Sequence, residues 1–323
     1  MILFLLRRLF WAVFLFLVAT MLTFVIFFLI PTDPLHITGM GVVGTSALMK
    51  HTRAELHLNV PAYQQYWIFL WNLVRHQSLG YSFEVGAPVR WVIAQDAKVT
   101  ASVVFGGAIF WLLIAIPLGV RSALKPRSTF DRISMVFVLI GISAPPLWIA
   151  LILAYIFGYR LGWTPIADYC DFFANSSGEC SGPIRWAYHL LLPWATYTIL
   201  FAAMYVRLIR SSVMETATEE YIRTAWAKGA SRRRVIIHHI LRNSLLPVVT
   251  MLGMDLGLAF AGSVFIEEVF NLHGIGQELL DATHGGDIPL LIGIVIFVSL
   301  AVIVFNFIVD VAYAWLDPRI RLT

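Results

Sequence analysis

Six stretches of this sequence, 9–30, 99–120, 133–159, 186–206, 244–266 and 288–309, are apolar almost throughout, and Asp255 is the only Asp, Glu, Lys or Arg inside any of them. A helix rises about 1.5 Å per residue, so about 20 such residues cross the roughly 30 Å hydrocarbon core of a bilayer with their backbone hydrogen bonds satisfied internally. The pattern predicts an all-α membrane protein with six spans. It excludes an ordinary water-soluble enzyme, because a chain that is 59% hydrophobic and 13% charged cannot coat a globule when its apolar residues are clustered. Arg7 and Arg8 precede the first run as in a secretory signal, but the run is too long for a signal core and no small-residue cleavage site follows. It is read as a permanent span.

Six spans put both termini on one side, and the basic residues decide which. With the termini cytoplasmic, the inner segments hold 16 of the 23 Lys and Arg, eight of them between Arg207 and Arg242, and the loop between the last two spans holds none. The termini and the 207–243 loop are therefore expected inside, and 31–98 and 160–185 outside. A formal charge of +4 gives no argument for nucleic acid as a partner. Pro117, Pro145-Pro146, Pro193 and Pro247 each remove a backbone donor and predict bends, which packed neighbours tolerate.

The glycines at 39, 41 and 44 match a dinucleotide-binding spacing, but that motif works only between a strand and a helix, and here it follows a span. No stretch reads G-x-x-x-x-G-K-S/T, so if ATP drives this protein another chain binds it. The segment 214–228 lacks Gly and Pro, carries Glu215, Glu219 and Glu220 early and Lys228 last, and so suits the helix dipole. Gly229 then predicts a helix stop and Ser231 the cap of a second helix running into the fifth span. The product is a rigid elbow under the membrane. Its small Thr224, Ala225 and Ala227 allow close approach of another protein, and Tyr221 and Trp226 can fill pockets in it.

The run Glu220-Tyr221-Ile222-Arg223-Thr224-Ala225-Trp226-Ala227-Lys228-Gly229-Ala230-Ser231, continuing to Arg242-Asn243-Ser244-Leu245-Leu246-Pro247, resembles the EAA loop of ABC importer membrane subunits, in detail the B-type permeases of the dipeptide, oligopeptide and nickel transporters. The similarity covers nearly the whole chain: Arg7-Arg8-Leu9, Pro31-Thr32-Asp33-Pro34, Leu79-Gly80-Tyr81-Ser82-Phe83, Ile116-Pro117-Leu118-Gly119-Val120, Leu161-Gly162-Trp163-Thr164-Pro165, Glu268-Val269-Phe270 with Gly274-Ile275-Gly276, and Asp317-Pro318-Arg319. The chain departs from the generic Glu-Ala-Ala in having Arg223-Thr224-Ala225. The resemblance implies a type I importer permease fold in a bacterial inner membrane. Residues 1–95 would supply the first span and an external loop, and 96–318 the permease domain. It also implies a second homologous permease subunit, two cytoplasmic ATPases carrying ATP and Mg, and an external binding protein. Tyr221, Thr224, Ala225, Trp226, Ala227, Lys228 and Gly229 would contact the ATPase. The chain would have no catalytic residue and no cofactor of its own, and its cargo would be di- or oligopeptides, with nickel or another small solute as the alternative.

Polar groups inside spans are costly, which makes Asp255 a candidate either for the translocation path or for a hydrogen bond between helices. Asp310 and His189 sit near span boundaries and read as structural. Glu267, Glu268, His273 and His284 share an outer loop but have no metal-ligand spacing, so no metal site is expected. Cys170 and Cys180 fall on the outer, oxidising side and suggest a disulfide contributing about 3 kcal/mol at most. Asn175-Ser176-Ser177 is a glycosylation sequon without expected use. In 61–75, Tyr63, Trp67, Leu70 and Leu73 recur at helical spacing, predicting an amphipathic surface helix that anchors to lipid or helps seat an external protein. An ion-coupled transporter would show paired intramembrane carboxylates and an internal repeat, and a membrane enzyme a polar cluster at one depth. Neither pattern is visible.

Overall fold

A computed structural model describes residues 2–29, 61–75, 78–82, 84–173 and 180–316. The 39–44 glycines, the 31–34 segment, the sequon and the Asp317-Pro318-Arg319 triplet lie outside that set. The described chain is mostly helical, with one short hairpin, a non-helical stretch over 161–173 and an isolated bridge between Asp171 and Ser181. Helix α1 (Ile2–Phe24) continues through a wider turn to Leu29, and α2 is Ala62–Arg75. Strands β1 (Tyr81–Ser82) and β2 (Ala87–Pro88) pair antiparallel, Tyr81 opposite Pro88, and lead into α3 (Val89–Leu124). Helix α4 (Thr129–Ser143) is followed by α5 (Pro146–Arg160), α6 (Pro183–Ala217) and α7 (Glu220–Ala227). The remainder is α8 (Arg232–Ser244), α9 (Leu246–Ala261), α10 (Val264–Phe270), α11 (Ile275–Gly285) and α12 (Ile288–Leu316).

Helices α1, α3, α6 and α12 are each long and apolar enough to cross a bilayer, and the number rises to six if α4 with α5 and α8 with α9 each count as one bent span. The prolines explain which spans stay whole. Pro117 and Pro193 sit singly inside α3 and α6, which remain continuous over 36 and 35 residues. Any proline deletes a donor and biases the residue before it away from the helical region, but in a pair the first proline is itself such a residue, so two successive residues are biased toward extended backbone. Ala144 (ψ 130°) and Pro145 (ψ 141°) are consequently both extended. The expected third span is broken there by 108°. Pro247 falls in the first turn of α9, where its missing donor costs little, and the bend between α8 and α9 is 43°. The expected fifth span ends at Ala261, short of residue 266, and α10 forms a separate helix after it.

The core lies where α3, α6 and α9 meet, and α3 against α6 is the largest interface. Trp111 is fully buried at its centre, its ring 4.6 Å from Phe201 and 6.1 Å from Tyr205. Glycine lets these helices close up: a Cβ at Gly106 would fall 2.1 Å from Trp194 Nε1. Helix α12 packs on α9, and α1 packs on α12, where Arg8 and Asp310 form an ion pair of 2.7 Å. Many apolar side chains on α1 and α4 remain exposed, as a lipid-facing or subunit-facing surface requires. The 95/96 boundary expected from sequence falls inside the unbroken α3.

The stripe expected on 61–75 divides differently. Phe69 and Leu73 pack on Ile288, Ile292 and Ile296 of α12, and the Tyr66 hydroxyl meets Thr20 Oγ1 at 3.1 Å. Tyr63, Trp67, Trp71 and Val74 face outward. Helix α2 is thus apolar on two faces, one spent on α1 and α12.

Candidate functional site

The inner loop folds as an elbow, with its first helix later than expected. Helix α6 runs on to Ala217, Thr218 and Glu219 turn, and α7 begins at Glu220 with extended Glu219 (ψ 145°) before it. Gly229 stops α7 in the left-handed conformation, φ 77°. Its N–H donates to Trp226 O (3.0 Å) and that of Ala230 to Ala225 O (3.2 Å), the paired closure that needs a residue tolerating positive φ. Ser231 holds the cap position of α8 with extended backbone, although its side chain makes no capping bond.

Ile222 is 1% exposed and anchors α7 through the same cluster that contains Val235 and Ile240 of α8. Ala225 also turns inward and packs there. The other six of the seven expected contact residues, Tyr221, Thr224, Trp226, Ala227, Lys228 and Gly229, are exposed. Tyr221 accepts a hydrogen bond from Asn243 Nδ2 (2.7 Å), which ties α7 to α8 a second time. The Trp226 ring is 45% exposed and held on a fixed frame, a costly arrangement for a surface that meets only water.

Above the elbow lies a clamp without any local signature in the sequence. Asp131, 4% exposed, receives Arg210 Nε (2.7 Å) and Nη2 (3.0 Å), Arg127 N (2.8 Å) and the Ser122 hydroxyl. Asp131 N in turn donates to Ser128 Oγ, the N-cap of α4. One carboxylate thereby joins the end of α3, the start of α4 and the inner third of α6. The two residues are 79 apart in sequence, and no local motif links them.

Asp255 is 5% exposed on α9, with the Tyr205 hydroxyl of α6 as its polar neighbour. Neither that hydroxyl nor Asp255 Oδ2 closes a hydrogen bond of ordinary geometry. The carboxylate faces the packed helices of its own chain.

The outer face is organised by Glu267, which sequence reading treated only as a poor metal ligand. It is fully buried beyond the end of α9 and accepts from Thr100 Oγ1 (2.7 Å), Gly276 N (2.7 Å) and Gln277 N (3.1 Å). Ile275 N donates to Thr100 Oγ1 (2.9 Å), so Glu267 and Thr100 together cap α11. The Gly274-Ile275-Gly276 triplet follows from this: a Cβ at Gly274 would lie 2.6 Å from the Glu267 carboxyl, and one at Gly276 2.5 Å from Val264 N. Burial pushes the Glu267 carboxyl above its usual range, opposed by Thr100, Gln277, Ser263 and Gly276. Burial also raises Glu278, helped by Asp281 and Glu84. Glu268, His273 and His284 are exposed and do not converge on Glu267. Asp287 caps α12 through Leu290 N (3.1 Å) and holds the hairpin through Ser82 Oγ (2.7 Å).

Cys170 and Cys180 have paired sulfurs and Cα atoms 5.0 Å apart, closing the base of the outer loop beside the Asp171–Ser181 bridge. His189, from the second turn of α6, reaches the pair.

Comparison with known proteins fits this architecture. The family described as the binding-protein-dependent transport system inner membrane component matches residues 115–322, and its N-terminal companion matches 1–104. The dipeptide transport system permease protein DppB of Escherichia coli is 35% identical, covering 99% of each chain. A Brucella suis protein whose name gives it as a peptide permease is 36% identical over 94% of each. The chain belongs to the family of inner membrane components of binding-protein-dependent transport systems, whose members are membrane permeases without catalytic chemistry of their own.

Proposed function

We propose that this permease forms half of the path by which di- or oligopeptides, delivered by an external binding protein, cross the inner membrane. A second, homologous permease subunit supplies the other half, and two cytoplasmic ATPases with their ATP and Mg supply the energy. The names of the similar proteins support the peptide cargo. Residues 1–95 contribute the peripheral helices and 96–318 the transport domain, joined through α3 without a linker.

The observation that carries the coupling role is the exposed face of α7, with Tyr221, Trp226 and Lys228 presented on a helix fixed at Ile222 and stopped at Gly229. In this reading α7 sits in a groove of an ATPase subunit, with Thr224, Ala227 and Gly229 allowing close contact. Only a partner that binds the two conformational states with different affinity can drive the cycle, so the contact has to transmit force and not merely tether. Asp255 with Tyr205 serves as a polar joint between α9 and α6 that adjusts as those helices move.

Gly229→Glu tests the proposal. The left-handed backbone disfavours a side chain by about 1–2 kcal/mol, and the carboxylate would project into the groove. The expected result is loss of ATP-driven peptide uptake together with loss of ATPase co-purification, while the chain still inserts. Normal uptake with an intact complex would overturn the coupling assignment.

A further inference from the structure

We propose that Cys170, Cys180 and His189 form a redox-dependent zinc site, in which Zn2+ replaces the disulfide as the staple of the outer loop when the cysteines are reduced. Among the described residues this is the one group of three metal-ligating side chains whose donor atoms all lie within 4.8 Å of one another. Cys170 is fully buried, and Cys180 and His189 are half-buried. His189 Nε2 stands 3.6 Å from Cys180 Sγ. Tetrahedral zinc with Zn–S near 2.3 Å and Zn–N near 2.0 Å sets sulfur and nitrogen about 3.5 Å apart, so that pair already has the required spacing.

The imidazole is also oriented for the task. His189 Nδ1 lies 3.0 Å from Asp168 O. A carbonyl oxygen can only accept, so Nδ1 carries a proton, and in the neutral form of the ring the lone pair of Nε2 is turned toward the sulfur. A disulfide sulfur has no proton to give that lone pair. A metal ion does satisfy it, and a backbone carbonyl on the far nitrogen is the usual outer partner of a zinc-bound histidine.

The chemistry balances with a phosphine as reductant: the disulfide, one phosphine and one water give two thiols and a phosphine oxide. Zn2+ then displaces the two thiol protons, the sulfurs separate by roughly 2 Å, and water takes the fourth position. The loop base stays closed in both states, by a covalent bond in one and by the metal in the other.

The test uses the full chain purified with its partner subunits. Zn2+ retained by wild type is counted against a Cys170→Ser, Cys180→Ser double variant before and after phosphine treatment. The expectation is one additional Zn2+ per reduced chain and none in the oxidised chain, and Co2+ in its place should give a sulfur-to-metal charge-transfer band. His189→Ala should weaken binding by at least about tenfold. Its oxidised form, with the disulfide intact, serves as the folding control. Should His189→Ala be unstable even when oxidised, the wild-type count and the Co2+ band decide alone. Equal Zn2+ in reduced wild type and double variant, absence of the thiolate band, or undiminished affinity in a folded His189→Ala chain would each overturn the proposal.

Discussion

Glu267 shows how much one side chain can organise. Its carboxylate closes hydrogen bonds to a hydroxyl on α3 and to two backbone N–H groups of α11, and it leaves room only for glycine at position 274. Glu267→Ala strands all three donors in a buried place, for an expected cost on the order of 3 kcal/mol in thermal or denaturant stability of the detergent-solubilised chain. The pH dependence follows from the same burial. The folded chain holds the Glu267 proton more tightly than the unfolded chain, whose ordinary value is 4.5, so stability contributed in acid is lost as pH rises above 4.5 through the raised folded value. A melting series across that window should show a declining midpoint for wild type and a flatter profile for Glu267→Gln. Identical slopes would remove Glu267 as the source.

Between helices, the Asp131–Arg210 clamp is the clearest load point, because it binds three elements at the inner end of the bundle. Arg210 is itself partly exposed, which moderates the loss, yet Asp131→Ala should still cost about 3 kcal/mol by leaving a guanidinium without its partner. A double-mutant cycle with Arg210→Ala should recover part of that cost, and additive effects would show that the two do not couple. Arg210→Lys should rescue poorly, since a single ammonium cannot make the two-pronged contact. Such a pair is invisible to sequence reading because its partners meet only after α4 and α6 have packed. The α7 stop at Gly229, in contrast, was legible, because a left-handed turn has a strong local signature. The 108° break was half legible: the proline pair predicts a bend, but its size depends on both Ala144 and Pro145 becoming extended.

At the scale of the molecule, the membrane class was written in the apolar runs and the family in the order of short motifs, whereas span ends at 261 and the burial of Ala225 depended on packing. The basic-residue tally places α7 in the cytoplasm, which is open to direct measurement. The two native cysteines are paired, so Ala227→Cys offers a single thiol on an exposed site. A membrane-impermeant maleimide should label it in inverted vesicles that carry this chain without its ATPase partners and not in intact spheroplasts, and the opposite pattern would reverse the topology.

Helix α6 runs unbroken from Pro183, beside the outer staple, to Ala217, two residues before the elbow. At 1.5 Å per residue it is a rod of about 52 Å. Tilting such a rod by about five degrees about its lower tip carries the upper tip sideways by roughly 4.5 Å, a little more than the width of a methyl group. A small rotation imposed at the cytoplasmic end would thereby reach the far rim in one rigid stroke, with no relay of intermediate rearrangements required.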